Sequence, residues 1–215
     1  MKRLIMKSYY QLKGIGCLVW VPTVILYIML PCVSYGVYTL FKDMDMLYSS
    51  ILENSQYICP MFSVWYVLFV LYHFVEQPGC EILYVKGRCK LPELALPYIL
   101  YDLYMLPLFA ISGYLFPEFR WLYVKLCGVN LLYVAAVYAV TYIFRSIVPS
   151  VTIVLLYSVL VFMEGTGAVG NITYFSDEIH TGLALLFEMI PICIIIGIML
   201  MVGIFANHLF VRKWD

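Results

Sequence analysis

The chain has 215 residues, of which 64% are hydrophobic and 12% charged, and its mean hydropathy is +0.93. A soluble domain carries about 25% charged and about 45–50% apolar residues. So large an apolar excess cannot be buried in one water-soluble core, and the composition predicts an integral membrane protein in contact with the lipid bilayer. The thirteen basic and thirteen acidic residues balance, so the charge gives no basis for nucleic-acid binding.

The seven cysteines are scattered along the chain, with no CxxC motif and no cluster with histidine. Structural metal sites and disulfide frameworks both need characteristic spacings that are missing here. The sequence therefore predicts no metal site, and most of these cysteines are expected to act as small apolar side chains.

Six stretches are long and apolar enough to cross a bilayer, which needs about 20 residues of helix. They predict a single all-α transmembrane domain over residues 1–215, with spans at Gly14–Phe41, Cys59–Val75, Leu94–Phe116, Phe119–Phe144, Ile147–Met163 and Leu183–Val211. The third and fourth spans are separated only by Pro117 and Glu118, which predicts a tight helical hairpin.

The basic residues predict the orientation. With the N-terminus inside, most of the thirteen fall on the cytoplasmic side: Lys2, Arg3, Lys7, Lys13, Lys86, Arg88, Lys90, Arg145, Arg212 and Lys213. The positive-inside rule therefore favours both termini in the cytoplasm over the inverse topology.

Three connecting segments have patterns of their own. Met1–Lys13 carries apolar residues on one helical face and lysines elsewhere, which favours a helix lying along the inner membrane surface over a frayed basic tail. Lys42–Tyr57 is acidic and mildly amphipathic, and is predicted to lie outside. Glu164–Thr181 is rich in glycine at its start, which indicates an irregular or re-entrant outer segment.

The main cytoplasmic feature is the segment Glu76–Glu93 between the second and third spans. Pro78 suits the first turn of a helix and Gly87 suits its C-cap, which predicts a short helix over Gly79–Lys86. Glu81 then lies near the positive end of the helix dipole and Lys86 near its negative end. The alternative is a connector that happens to carry a helix.

Ionisable residues within the membrane are candidates for function because each is costly in lipid. Asp102 lies near the middle of the third span, with Asn130 at a similar depth on the fourth. It is interpreted either as part of a substrate path or proton-coupled site, or as a protonated carboxyl bonded to a neighbouring helix. Lys125 and Glu188 lie at matching depths near the outer surface, which suggests that they pair.

The whole-chain layout resembles the membrane subunits of type-2 ABC exporters. In that family the second loop commonly carries a Glu, then Gly-Thr-x-Glu-x-Leu, then an Arg and a Lys before the third span. Here the matching residues are Glu76, Gly79, Glu81, Ile82, Leu83, Arg88 and Lys90, with Cys80 in place of the Thr. The residue-level match covers about fifteen positions, and the segment between Leu83 and Lys90 is shorter than usual.

This resemblance implies an export permease with six spans, an interfacial N-terminal helix and a coupling helix that contacts an ATPase. It also implies a multi-pass location in the bacterial plasma membrane and pairing with a second membrane subunit, identical or homologous. ATP and magnesium would bind the ATPase subunits, because this chain has no GxxxxGK[ST] loop. No cofactor is expected on the chain itself.

Two other classes are weighed against an exporter. An intramembrane enzyme is disfavoured, since Ser112 and His208 lie at opposite membrane depths, and no paired helical histidines or clustered aspartates occur. The other is the substrate-binding membrane subunit of a vitamin-type uptake transporter, which has a similar length. Such subunits dock through small residues on the first span, where this chain carries the bulky Trp20, Tyr27 and Tyr35.

Overall fold

The computed structural model describes residues 16–80, 84, 90–165, 174–175 and 179–212, and all regular elements in these ranges are helical. We label the main helices α1 (Gly16–Phe41), α2 (Met44–Val75), α3 (Leu91–Leu115), α4 (Phe119–Phe144), α5 (Val148–Gly165) and α6 (Leu183–Arg212). Five of them are long and apolar enough to cross a membrane, while the apolar stretch of α5, Val148–Glu164, is shorter. The chain is thus a multi-pass helical membrane protein.

The first helix is irregular because it contains two prolines. It runs through a 3-10 turn at Gly16–Trp20, an α-turn at Val21–Val24 and a π-turn at Ile25–Met29 before a regular α-helix at Leu30–Phe41. Proline has no N–H and its ring crowds the preceding turn, so the main-chain hydrogen bonds of the helix have to change near it. Just before Pro31, the Leu30 N–H therefore bonds the carbonyl of Ile25, five residues back.

The second helix begins earlier than the sequence predicts. The Asp43 side chain accepts a 3.0 Å hydrogen bond from the Asp45 N–H, and this cap starts the helix at Met44 rather than at Cys59. The helix is interrupted at Val64, four residues after Pro60. The segment looked extramembranous because it contains polar residues, yet Ser55 and Gln56 are fully buried within the protein.

The next two helices form the hairpin that the sequence predicts. α3 and α4 are joined by Phe116–Glu118, where the Phe119 N–H bonds the carbonyl of Phe116 at 3.1 Å. Gly113, late in α3, lies against Arg120, early in α4, while Tyr98, early in α3, bonds the carbonyl of Cys127, further along α4. The two helices are therefore antiparallel.

Helix α4 is the centre of the bundle: 61% of its most apolar stretch is buried, against 17% in α1 and 22% in α6. Its packing against α6 is parallel, since Lys125 meets Glu188 near the start of both helices and Tyr138 meets Gly203 further along. Its packing against α5 is antiparallel, since Thr141, late in α4, meets Ser150, early in α5, and Tyr133, earlier in α4, meets Ser158, later in α5. α5 therefore returns the chain from the end of α4 towards the start of α6.

Candidate functional site

The candidate site lies at the predicted cytoplasmic end of the bundle, where α2 ends, α3 and α5 begin, and α4 and α6 end. The connection from α2 to α3 crosses this end. Of the residues predicted to contact an ATPase, Glu76, Gly79 and Lys90 fall within the described part of the chain. Glu81, Ile82, Leu83 and Arg88 lie outside the described residues, as does the predicted interfacial helix Met1–Lys13.

Glu76 ties the end of α2 to the start of α5. Its Oε1 accepts a 2.8 Å hydrogen bond from Ser146 Oγ and a 2.7 Å bond from the Ile147 main-chain N–H. Ser146 Oγ in turn accepts a 3.3 Å bond from the N–H of Val148. Free N–H groups at the start of a helix need such acceptors, and the helix dipole favours a negative charge there. Glu76 and Ser146 thus cap α5 together.

Gly79 forms a turn rather than a helix. Its φ is +80°, in the left-handed region that glycine adopts without the strain of a side chain. The Cys80 N–H closes the turn on the carbonyl of Gln77 at 3.1 Å. The expectation that a helix begins at Gly79 is therefore wrong at that residue, and the turn precedes any helix in the segment.

Tyr84 anchors the middle of the connection to three helices. Its hydroxyl donates a 3.1 Å hydrogen bond to the carbonyl of Phe74 on α2 and lies 2.9 Å from the hydroxyl of Tyr142 on α4. Its ring packs at 5.6 Å against that of Phe210 on α6. Burial raises the pKa of the Tyr84 phenol well above its usual range, so the hydroxyl stays neutral and keeps these bonds.

Lys90 lies inside this cluster rather than on the surface. Only 1% of it is exposed, and its ammonium lies 5.5 Å from the ring centre of Phe74 and 5.0 Å from that of Tyr84. Glu93 Oε1, one turn into α3, is 3.5 Å away. Cation–π attraction and an ion pair thus hold the charge within the protein. The prediction that Lys90 contacts a partner needs correction: its ammonium is enclosed and fixes the start of α3.

The intramembrane polar residues form two separate groups. Asn130 Nδ2 donates a 2.8 Å hydrogen bond to Asp102 Oδ1, which joins the middles of α4 and α3. The Lys125 ammonium pairs with the Glu188 carboxylate, which joins α4 to α6. Positions 125 and 130 are five residues apart and so lie about 140° apart around α4. Residues that the sequence placed at similar membrane depths are thus in contact in both pairs, and the two pairs lie on different faces of α4.

A third polar group holds part of the predicted outer segment. Tyr174 is buried, and its hydroxyl donates a 3.1 Å hydrogen bond to the carbonyl of Gln56. That carbonyl lacks its usual helical donor because Pro60, four residues on, has no N–H. Tyr174 also lies 3.4 Å, hydroxyl to hydroxyl, from Tyr133, which is about 21 Å along α4 from Phe119. Residue 174 therefore reaches deep into the bundle.

Comparison with known proteins finds no matching family model, no similar curated protein and no similar solved structure. Within the described ranges, no group of three or more His, Cys, Asp or Glu side chains could hold a metal ion. What the geometry does provide is a connection between α2 and α3 that is fastened to α2, α4, α5 and α6.

The sequence did not point to three of the fastening residues, Tyr84, Tyr142 and Ser146. Tyr84 and Tyr142 looked like ordinary tyrosines of a chain that contains 20. Ser146 was only one residue of a short connection. The capping role of Glu76 could have been sought in the sequence. An acid at the end of one helix can cap another helix that begins at the same end of the bundle.

Proposed function

We propose that this chain is the membrane subunit of an ATP-binding-cassette exporter, with ATP hydrolysis on separate subunits. In this proposal the six helices form the translocation domain, with both termini in the cytoplasm of a bacterial cell. Two membrane subunits, identical or homologous, associate with two ATPase domains. The segment Gly79–Lys86 contacts the ATPase.

The parallel packing of α4 and α6 supports six crossings. Because these helices run in the same direction, the intervening chain has to return to the side on which α4 starts. At about 1.5 Å per residue, the 18 residues of α5 extend about 27 Å, close to the thickness of the hydrocarbon core. The depth of Tyr174 supports the re-entrant outer segment expected of this architecture.

The observation that carries the functional proposal is the fastening of the α2–α3 connection. A coupling segment has to pass force to the helices, and a loosely attached loop would absorb it. Here Glu76 holds α5, Tyr84 contacts α2, α4 and α6, and Lys90 holds the start of α3. A partner that pushes on this connection therefore acts on five helices together.

The role of Lys90 differs from the one that the resemblance implies. Lys90 holds the start of α3 from inside the protein. The contact with the ATPase depends instead on Glu81, Ile82, Leu83 and Arg88. Glu76 likewise transmits movement to α5 rather than contacting the partner directly. The coupling route therefore runs from the partner through residues 79–86 into α5 by Glu76 and into α4 and α6 by Tyr84.

The test is the Glu81→Lys variant, assayed by purification of the chain with its associated proteins in mild detergent. We expect wild-type chain to retain an ATPase subunit, and Glu81→Lys to reach the membrane in normal amounts but lose that subunit. The matched control is Asp45→Lys, which reverses an exposed acid in the first turn of α2 at the opposite end.

Reversal of an acid in the first turn of a helix costs about 0.3–1 kcal/mol, which applies to Asp45 and to the predicted position of Glu81, so a difference between the two variants reports the partner contact. Equal retention of the ATPase by both variants would contradict the coupling role. Absence of any ATPase with the wild-type chain, together with a different integral membrane scaffold, would favour the uptake-transporter alternative.

A further inference from the structure

Within the described part of the chain, the pair of Asp102 and Asn130 has no cationic side chain bonded to it. Asp102 is 12 residues into the 25-residue α3, and Asn130 is at the same position in the 26-residue α4. Both therefore lie near the middle of the membrane-spanning segments. Asn130 is fully buried and Asp102 nearly so. A charged group at this depth is costly unless it is paired.

The groups that face the Asp102 carboxyl from the surrounding helices are neutral ones. They come from α3 itself, from α4 and from α2, and comprise Tyr98, Tyr101, Tyr123, Cys127 and Cys59. Among the described residues, this set contains no lysine, arginine or histidine. The nearest cation along α4, Lys125, points to a different face and is paired with Glu188.

The neighbouring tyrosine hydroxyls are already used by main-chain carbonyls. Tyr123 donates to the carbonyl of Asp102 at 3.1 Å, Tyr98 to that of Cys127 at 3.1 Å, and Tyr101 to that of Cys59 at 2.6 Å. A hydroxyl has one hydrogen to donate. These bonds position the helices. The Tyr98 hydroxyl and the Cys127 thiol also interact with the Asp102 carboxyl by hydrogen bonding, but both are neutral donors and bring no positive charge to it.

The Asn130 side-chain oxygen has no hydrogen-bond donor among the residues that the structure describes. The Asn130 Nδ2 bonds Asp102 Oδ1 at 2.8 Å and lies 3.9 Å from the sulfur of Met105, while the buried Oδ1 stays unbonded within these ranges. Within the pair itself, the Asn130 amide group is thus the one donor group for two sets of acceptor oxygens. A carboxyl that carries a proton supplies the second donor and removes the charge at once.

We propose that Asp102 and Asn130 form a proton-binding site in the middle of the α3–α4 hairpin. Asp102 binds one proton and, as a neutral acid, forms a carboxyl–amide pair with Asn130. The bound proton comes from water and no electron transfer is involved. This inference does not depend on the exporter proposal.

Infrared spectroscopy of the full chain in lipid vesicles, with ¹³C-labelled aspartate, tests the site directly. A protonated carboxyl gives a carbonyl band that an ionised carboxylate lacks, and the label separates aspartate from glutamate. At neutral pH we expect one such band in wild-type chain and its loss in Asp102→Asn. The control Asp45→Asn, which changes an exposed aspartate, should retain the band.

A second variant, Asn130→Leu, tests the partner. Loss of the amide hydrogen bond should shift the Asp102 carbonyl band to higher frequency without removing it. A wild-type spectrum with no protonated aspartate band, or a band that persists in Asp102→Asn, would overturn the proton site. An unshifted band in Asn130→Leu would overturn the carboxyl–amide pair. If Asp102→Asn does not fold, the wild-type spectrum still tests the protonated aspartate and Asn130→Leu still tests the carboxyl–amide pair.

Discussion

The Glu76 carboxylate accepts a 2.7 Å hydrogen bond from the Ile147 main-chain N–H, across 71 residues of chain. This bond and the one from Ser146 link two connections that lie at the same end of the bundle. Because the contact is specific to one amide, its removal can be measured at that amide.

Replacement of Glu76 by Ala should expose the Ile147 N–H. Removal of a capping acceptor costs about 0.5–2 kcal/mol, so we expect exchange at this amide to be roughly two- to thirty-fold faster. Hydrogen–deuterium exchange of the chain in detergent or nanodiscs measures it. The matched variant Ser146→Ala should instead expose the Val148 N–H, which bonds Ser146 Oγ, and leave Ile147 protected by Glu76. The same exchange at Ile147 in wild type and Glu76→Ala would rule out the contact.

Two glycines at the α4–α6 interface should respond differently to alanine. A Cβ at Gly203 would meet the ring of Tyr138 and, at 3.2 Å, the main-chain Cα of Ala139. A Cβ at Gly128 would meet only the flexible end of Met189. We expect Gly203→Ala to destabilise the protein by about 1–3 kcal/mol, because a ring and a backbone have to move.

Gly128→Ala should have little effect or stabilise the chain, since Met189 can adopt another rotamer and alanine favours the helix by up to about 1 kcal/mol. Thermal unfolding in detergent compares the two variants under one condition. Equal losses of stability would mean that the interface is no tighter at Gly203 than at Gly128.

The ion pair of Lys125 and Glu188 should give a non-additive double-mutant cycle. Lys125 is buried, so Glu188→Gln removes the carboxylate that pairs with its ammonium, at a cost of up to about 3 kcal/mol. Lys125→Met should also destabilise the chain, whereas the double variant should lose less than the sum of the two. The free energy of unfolding of the four chains measures the coupling. Additive single effects would show that the two charges do not depend on each other.

The buried Tyr84 hydroxyl should make part of the stability sensitive to alkaline pH. Burial raises the pKa of Tyr84 in the folded chain above the unfolded value of about 10. Its contribution is therefore fully present below that unfolded pKa and is lost as the pH rises above it. Comparison of wild type with Tyr84→Phe at about pH 8 and about pH 11 should show the stability difference shrinking at the higher pH. A constant difference would mean that Tyr84 ionises equally in both states.

Helix positions were largely predictable because hydropathy reports contact with lipid. The predicted spans at Phe119–Phe144 and Leu183–Val211 agree closely with α4 and α6. The start of α2 was not predictable in this way, since hydropathy treats Ser55 and Gln56 as signs of an exit from the membrane. Within a bundle such residues face other helices, and Gln56 even accepts the Tyr174 hydroxyl through its main chain.

The candidate site was predictable only in part, for a different reason. Depth along a helix can be counted from sequence, which is why Asp102 with Asn130 and Lys125 with Glu188 could be matched. Which side chains meet at a given depth depends also on how each helix is rotated about its axis and on how the connections fold. The enclosure of Lys90 by Phe74 and Tyr84 depends on both.

The parallel arrangement of α4 and α6 has a consequence for synthesis. The chain enters the membrane in order, so α4 is inserted before its largest helical partner exists. Until α5 and α6 have followed, Lys125 and Gly128 are without Glu188 and Met189, the residues of α6 that contact them. Assembly of this core therefore has to follow the synthesis of α4, and a chain that stops between α4 and α6 carries Lys125 without Glu188, the carboxylate that pairs with it.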